Sequence, residues 1–226
     1  MEKLLEKSNK SISSVQYPYQ RDVIGKINWD WRMNGIVGAR GTGKTTLLLQ
    51  KTAQFQKAGF DVLYVRLDDL YFADHHIYDL ADTFRKNGGK YLYLDEVHKY
   101  PGWARELKNM YDSMPELKVV FSGSSIIEMT KQDADLSRRA MMYEMTGLSF
   151  REYLLLSDII SFPIVPLTEI ILNHAEIASH IVKEISVLKH FATYLKSGFY
   201  PFFLEPGRDY FMTLEQIIRT VMETDL

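Results

Sequence analysis

Eight residues near the front of the chain, Gly38-Ala39-Arg40-Gly41-Thr42-Gly43-Lys44-Thr45, constrain its fold more than any other feature. They read glycine, four residues, glycine, lysine and a hydroxyl residue, and the spacing has a mechanical reason. Glycines let successive backbone N–H groups turn inward around a phosphate, while a helix starting at the lysine points its positive end at the same spot. Such a loop needs a strand to launch it and a helix to receive it. Both are present: residues 34–38 are short and apolar, and residues 44–57 read as a helix closed by Gly59. Lys44 is then placed to reach the β- and γ-phosphates of a nucleotide, and the Thr45 hydroxyl to ligate Mg²⁺. Gly38, Arg40, Gly41, Thr42, Gly43 and Thr46 complete the candidate nucleotide contacts.

Strand and helix patterns alternate as far as Gly147. After the loop helix, residues 60–67 are β-branched and aromatic and end in Asp68 and Asp69; 74–86 read as a helix stopped by Asn87, Gly88 and Gly89. Residues 91–94 form an apolar run, 103–114 a helix, 117–121 another buried strand and 141–145 a weaker one. This order predicts an α/β fold, a parallel sheet joined by right-handed crossovers with helices on both faces. From 148 onward the pattern is helical, at 149–156, 168–196 and 212–223. The expected domains are therefore a P-loop α/β domain at 1–147 and a smaller helical lid or linker region at 148–226. The last helix stops without a closing turn, so a further C-terminal domain is expected.

The run 91–94 ends in Asp95 and Glu96, two adjacent carboxylates at the strand edge where open parallel sheets bind ligands. Asp95 is expected to hold Mg²⁺, and Glu96 to orient and deprotonate an attacking water. A water activator favours hydrolysis over phosphoryl transfer to a small molecule. Beyond 117–121 stand Ser122 and Ser124, hydroxyls that can report on the γ-phosphate; Ser124 lies further past the apolar run and is preferred.

The order of phosphate loop, Asp-Glu strand end and polar strand end resembles AAA-type ATPases. More narrowly, Leu136-Ser137-Arg138-Arg139-Ala140 followed by Gly147-Leu148-Ser149-Phe150-Arg151-Glu152-Tyr153-Leu154 is similar to a group of largely uncharacterised bacterial and archaeal AAA-family ATPases. Their members often read Gly-Arg, a short strand, then Pro-Leu-Ser-Phe-x-Glu-Tyr-Leu; this chain has Arg138 and Gly147 where Gly and Pro are usual. Tyr194-Leu195-Lys196-Ser197-Gly198-Phe199-Tyr200-Pro201 resembles the group's Gly-Gly-Phe-Pro turn with an extra Tyr200. The resemblance implies sheet order 5-1-4-3-2, a further C-terminal region, and an Arg139 able to neutralise charge on the transferring phosphoryl group, for a neighbouring subunit's ATP rather than its own.

The function expected is Mg-ATP hydrolysis by a module that switches or drives an attached domain or partner. Alternatives are a slow-turnover, nucleotide-dependent signalling protein and a P-loop phosphotransferase. A GTPase is disfavoured, because there is no Asn-Lys-x-Asp and the sole Asp-x-x-Gly, starting at Asp22, precedes the loop. His75, His76 and His98 lack supporting Cys, so no zinc site is expected. Asp95-Glu96-Val97-His98 resembles a helicase box, but a second motor lobe has no room.

Composition narrows the partners. With 27 Lys plus Arg against 29 Asp plus Glu, the net charge of −2 argues against phosphate-backbone binding across the whole surface, so nucleic acid enters only through a missing C-terminal region. The expected partners are ATP and a protein, another copy of the chain included. There is no Cys, and the charged start MEKLLEKSNKSIS does not suit a signal peptide. The richest apolar stretch, 159–167, is interrupted by Pro163 and Pro166. A cytoplasmic protein without membrane partners is expected.

Overall fold

Successive side chains on a strand face opposite ways, and here four strands bury both faces. The computed structural model describes residues 1–15, 19–124, 136, 138–207 and 209–224; Ser137, part of the Leu136–Ala140 motif, lies outside them. The chain divides into two compact units, Met1–Thr146 with the stretch from Val221 onward, and Gly147–Thr220.

The first unit holds a five-stranded sheet of β1 (Met33–Val37), β2 (Val62–Arg66), β3 (Tyr91–Asp95), β4 (Lys118–Gly123) and β5 (Met141–Glu144). All four pairings are parallel and the order is β2-β3-β4-β1-β5, the 5-1-4-3-2 arrangement read from the other edge. Helices α2 (Lys44–Lys57), α3 (Ile77–Lys86) and α4 (Trp103–Ser113) are the crossovers. Leu63, Val65, Leu92, Leu94, Val119 and Phe121 belong to one buried core, which includes Leu80 of α3 and Leu107 of α4. Their strand neighbours Val62, Tyr64, Tyr91, Tyr93 and Val120 belong to a second core with Leu47 and Leu48 of α2. Each side chain so buried contributes about 1.5–3 kcal/mol, and a one-residue slip of any strand would exchange the two faces.

Register brings the polar ends of the strands together. Val37 lies opposite Gly123, Leu94 opposite Phe121 and Arg66 opposite Asp95. The loop after β1, the acids closing β3 and the serines closing β4 therefore share one edge.

A helix that the pattern reading did not place, α1 (Glu2–Ser13), covers the outer edge of β2. Its buried residues are Leu4, Ser8 and Ile12, one turn apart. Leu4 joins one core and Ile12 the other. Between them the Ser8 hydroxyl accepts the backbone N–H of Tyr64 at 3.0 Å, so a side chain stands where another strand would pair. The polar middle position is why the face escapes an apolar-periodicity reading.

The second unit contains α5 (Phe150–Leu156), α6 (Leu167–Glu184), α7 (Val187–Ser197) and most of α8 (Tyr210–Thr224). The helical pattern expected to run through 168–196 is broken: Ile185 is extended, and Asn173 is non-helical inside α6. No residue of α6 or α7 is buried. Among the described residues, no helix is long and apolar enough to cross a membrane.

Replacing Ser8 by Ala leaves the buried N–H of Tyr64 without its acceptor. Ser8→Ala is expected to lower unfolding free energy by about 1–2 kcal/mol with unchanged slope in urea titration; a loss below a few tenths would show that water reaches that N–H.

Candidate functional site

The glycines of the loop are needed for two different reasons. Gly41 and Gly43 have φ of 83° and 95°, the left-handed region, and Gly43 caps the start of α2. At Gly38 a Cβ would lie 2.2 Å from the carbonyl oxygen of Met145, just past β5, so only glycine fits there. Inside the loop the Lys44 ammonium donates to the carbonyls of Gly38 and Ala39, both at 2.8 Å, and the Thr42 hydroxyl donates to Ala39 at 2.9 Å. Arg21, which nothing in its sequence setting marks, donates to the carbonyls of Thr42 at 2.7 Å and Thr146 at 3.0 Å. One guanidinium thus ties the loop to the segment after β5. Arg40 and Thr46 are half-buried beside it.

Asp95 is fully buried. A buried carboxylate is tolerated when donors surround it, and three do. The Thr45 hydroxyl, from the first turn of α2, and the Tyr64 phenol, from β2, both donate to Oδ2 at 2.7 Å; the Ser122 hydroxyl, from β4, donates to Oδ1. Burial first, and then the charge of Asp95, push the Tyr64 phenol above its usual range, so it stays a protonated donor. Tyr64 could not be singled out in a strand made of such residues; the cross-strand contact reveals it.

Glu96 has φ 59°, a left-handed conformation rare for a residue with a side chain, and it turns the chain off β3 into a 3-10 turn at Val97–Lys99. Its N–H donates to the Ser122 hydroxyl at 3.3 Å. Burial, and next the charge of Asp95, raise its carboxyl above the ordinary range, while Lys44, Arg40 and Arg66 pull it down. Three cations therefore act on this carboxylate, and Arg66, at the end of β2, is one that the sequence reading missed. His98 Nε2 lies 3.4 Å from Glu96 Oε2 and 3.0 Å from the Ser124 hydroxyl. The two serines are thus divided: Ser122 faces Asp95 and Ser124 faces His98.

Arg139 is not among these groups. Its guanidinium makes a two-pronged contact with Asp112 in the last turn of α4, at 2.9 and 3.0 Å, and holds that carboxyl below the usual range. Arg139 precedes β5 and Asp112 precedes β4, which places the pair at the N-terminal edge of the parallel sheet. The loop leaves the opposite edge, roughly 15 Å away along β1. Arg139 does not face the loop of its own chain.

Residues 147–154 have a structural role in the second unit. The Ser149 hydroxyl accepts the N–H of Glu152 while the Glu152 carboxylate accepts the N–H of Ser149, a reciprocal cap that starts α5. Leu148 is gripped at both backbone groups, its N–H by the Phe199 carbonyl and its carbonyl by the Tyr194 hydroxyl, each at 2.7 Å. Gly147 and Gly198 lie against the rings of Phe199 and of Tyr153 and Tyr194, with no space for a Cβ. The two family-like motifs therefore pack on each other.

The residues present fit a nucleotide with a hard dication. Backbone N–H groups, Lys44 and the start of α2 suit phosphates, and the Thr45 hydroxyl with Asp95 forms the sparse oxygen set that Mg²⁺ takes when phosphates and waters complete its shell. Thr45 and Asp95 are the side chains that would hold the ion; among the described residues there is no group of three His, Cys, Asp or Glu side chains suited to a metal.

The family model for the AAA domain matches residues 30–154. An uncharacterized protein of Methanocaldococcus jannaschii is 30% identical over 252 aligned residues, which take in 99% of this chain and 52% of the relative. The chain thus spans about half the length of that curated relative. Solved structures of DnaA are also similar: one from Aquifex aeolicus bound to AMPPCP, 14% identical with a TM-score of 0.42, and one bound to AMPPCP and single-stranded DNA, 17% identical with a TM-score of 0.44. Each match covers 97% of this chain and 67% of the other.

The raised carboxyl of Glu96 makes a stability prediction. A carboxyl whose folded pKa exceeds its unfolded value stabilises below the unfolded pKa and loses that contribution as pH rises through the folded pKa. Above the folded pKa the ionised Glu96 is therefore a cost, and Glu96→Gln is expected to raise the melting temperature of the nucleotide-free protein. The difference should close as pH falls into the carboxylate range. Equal melting at neutral pH would mean that the three cations offset burial completely.

Proposed function

Because the chain belongs to the AAA domain family, whose modules are of the nucleotide-binding ATPase type, we propose that it binds Mg-ATP and hydrolyses it. The observation that carries this reading is the 2.7 Å contact between the Thr45 hydroxyl and Asp95, which joins the phosphate loop to the acidic strand end with Glu96 next in the chain. Lys44 exchanges loop carbonyls for phosphate oxygens, a charge-assisted replacement. Thr45 and Asp95 hold Mg²⁺, which when bound supplies positive charge to the phosphate oxygens. Glu96 orients a water and accepts its proton; the cations Arg40 and Arg66 favour the ionised form this needs. Ser124, past the end of β4, reports the state of that site.

The hydrolytic module acts as a switch or motor for a further part of the protein or for a protein partner, consistent with a relative about twice as long. Arg139, directed away from its own loop, serves the nucleotide of a neighbouring copy after leaving Asp112.

Two experiments test this. Lys44→Ala should weaken Mg-ATP binding by calorimetry, whereas Glu96→Gln should keep binding and slow steady-state hydrolysis by about a hundredfold or more. Unchanged affinity in Lys44→Ala would remove the loop as the site. Separately, mixing Arg139→Ala chains with Lys44→Ala chains should restore activity that neither has alone, because a mixed interface pairs an intact Arg139 with an intact Lys44. A mixture that stays inactive, with specific activity independent of concentration, leaves Arg139 a structural arginine that pairs with Asp112.

A further inference from the structure

The order Asp95-Glu96-Val97-His98 places an imidazole that neither phosphate binding nor metal binding requires. His98 lies in the 3-10 turn that follows the left-handed Glu96. That turn is fixed by the N–H of Lys99 on the Glu96 carbonyl at 2.9 Å, by the N–H of Tyr100 on the Val97 carbonyl at 3.0 Å, and by the fully buried Val97 side chain. The His98 side chain is only 3% exposed, against 24% for Glu96.

Its hydrogen bonds define its tautomer. The backbone N–H of Ser124 lies 3.4 Å from Nδ1 and can only donate, so Nδ1 carries the lone pair and the proton of the neutral ring is on Nε2. Nε2 in turn has two oxygens within reach, the Ser124 hydroxyl at 3.0 Å and Glu96 Oε2 at 3.4 Å. One N–H thus stands between two acceptors, one on the segment after β4 and the other on the carboxylate after β3. The ring is held by the turn that carries it and by the Ser124 N–H at Nδ1, whereas the Glu96 side chain is the more exposed of the two.

We propose that His98 is a positioning residue for hydrolysis: its Nε2–H holds the Glu96 carboxylate in place and is shared with Ser124, so that the water-activating group is tied to the end of β4. This deepens the hydrolytic reading and rests on it. A Ser124 that turns away from the ring releases the N–H to Glu96; a Ser124 that turns toward it draws the N–H away. A change at the end of β4 then reaches the carboxylate through one proton donor.

The test exploits the geometry of two amides. Gln can bring an N–H to the position of Nε2, whereas Asn reaches only the position of Nδ1. His98→Asn is expected to lower kcat about tenfold or more, with KM and the affinity for a non-hydrolysable ATP analogue within about twofold of wild type. His98→Gln should recover most of that loss, and in a Glu96→Gln background His98→Asn should cause no further loss. Ring ¹⁵N shifts of His98 in the wild-type protein should show Nε2 protonated and Nδ1 bare. Wild-type kcat in His98→Asn, equal losses in the Asn and Gln variants, full additivity with Glu96→Gln, or the opposite tautomer would each overturn the proposal while leaving hydrolysis intact. A wild-type protein that binds ATP without turnover would overturn both readings together.

Discussion

One carboxylate organises the functional half of the molecule. Asp95 is fully buried, and its negative charge is tolerated there because three hydroxyls from three separate elements, Thr45 on α2, Tyr64 on β2 and Ser122 on β4, converge on it. Each partner is uncharged, so the site keeps a net negative centre toward which Lys44, Arg40 and Arg66 can turn. The arrangement couples register to chemistry. If β2 or β4 slipped by one residue, Tyr64 or Ser122 would leave the carboxylate, and a buried charge short of donors costs several kcal/mol.

The loop and the acids make complementary demands on the backbone. Around the loop, left-handed glycines expose N–H groups, and Lys44 occupies the inside by bonding carbonyls that it must give up when phosphates arrive. Beside β3, the left-handed residue is Glu96, which bears a side chain and holds that conformation at a cost of roughly 1–2 kcal/mol. Strain of this kind persists where surrounding structure enforces it, and the turn at Val97–Lys99 together with the Ser122 hydroxyl does so here.

What was legible in the sequence is what depends on local chain properties. The loop, α2, the buried runs of β3 and β4 and the acids at 95–96 announce themselves because glycine geometry, helix capping and alternating burial act within a few residues. The order of the strands came through the resemblance, and the sheet carries that order. Tyr64 and Arg21 stayed hidden because their partners are 31 and 125 positions away, and His98, set aside as a zinc or helicase residue, showed no sign of Ser124, 26 positions on. Helix α1 escaped because its middle contact is Ser8 rather than an aliphatic residue. The helical stretch at 168–196 read as continuous because its breaks, at Asn173 and Ile185, are made by backbone angles at residues that helices ordinarily accept. Arg139 was recognisable as an arginine of interest, while its bond to Asp112 was not.

The same Ser8 gives the N-terminus an influence out of proportion to its distance from the phosphates. Its oxygen receives the backbone N–H of Tyr64, and the phenol of Tyr64 donates to Asp95, so two hydrogen bonds separate the first helix from the candidate metal ligand. A trimmed start or a protease that removes the first dozen residues is then no inert change. It uncovers a strand edge able to recruit foreign backbone, and it loosens the residue that carries one of the three hydroxyls on which the buried carboxylate relies. For this chain, purification strategy and nucleotide chemistry are coupled variables.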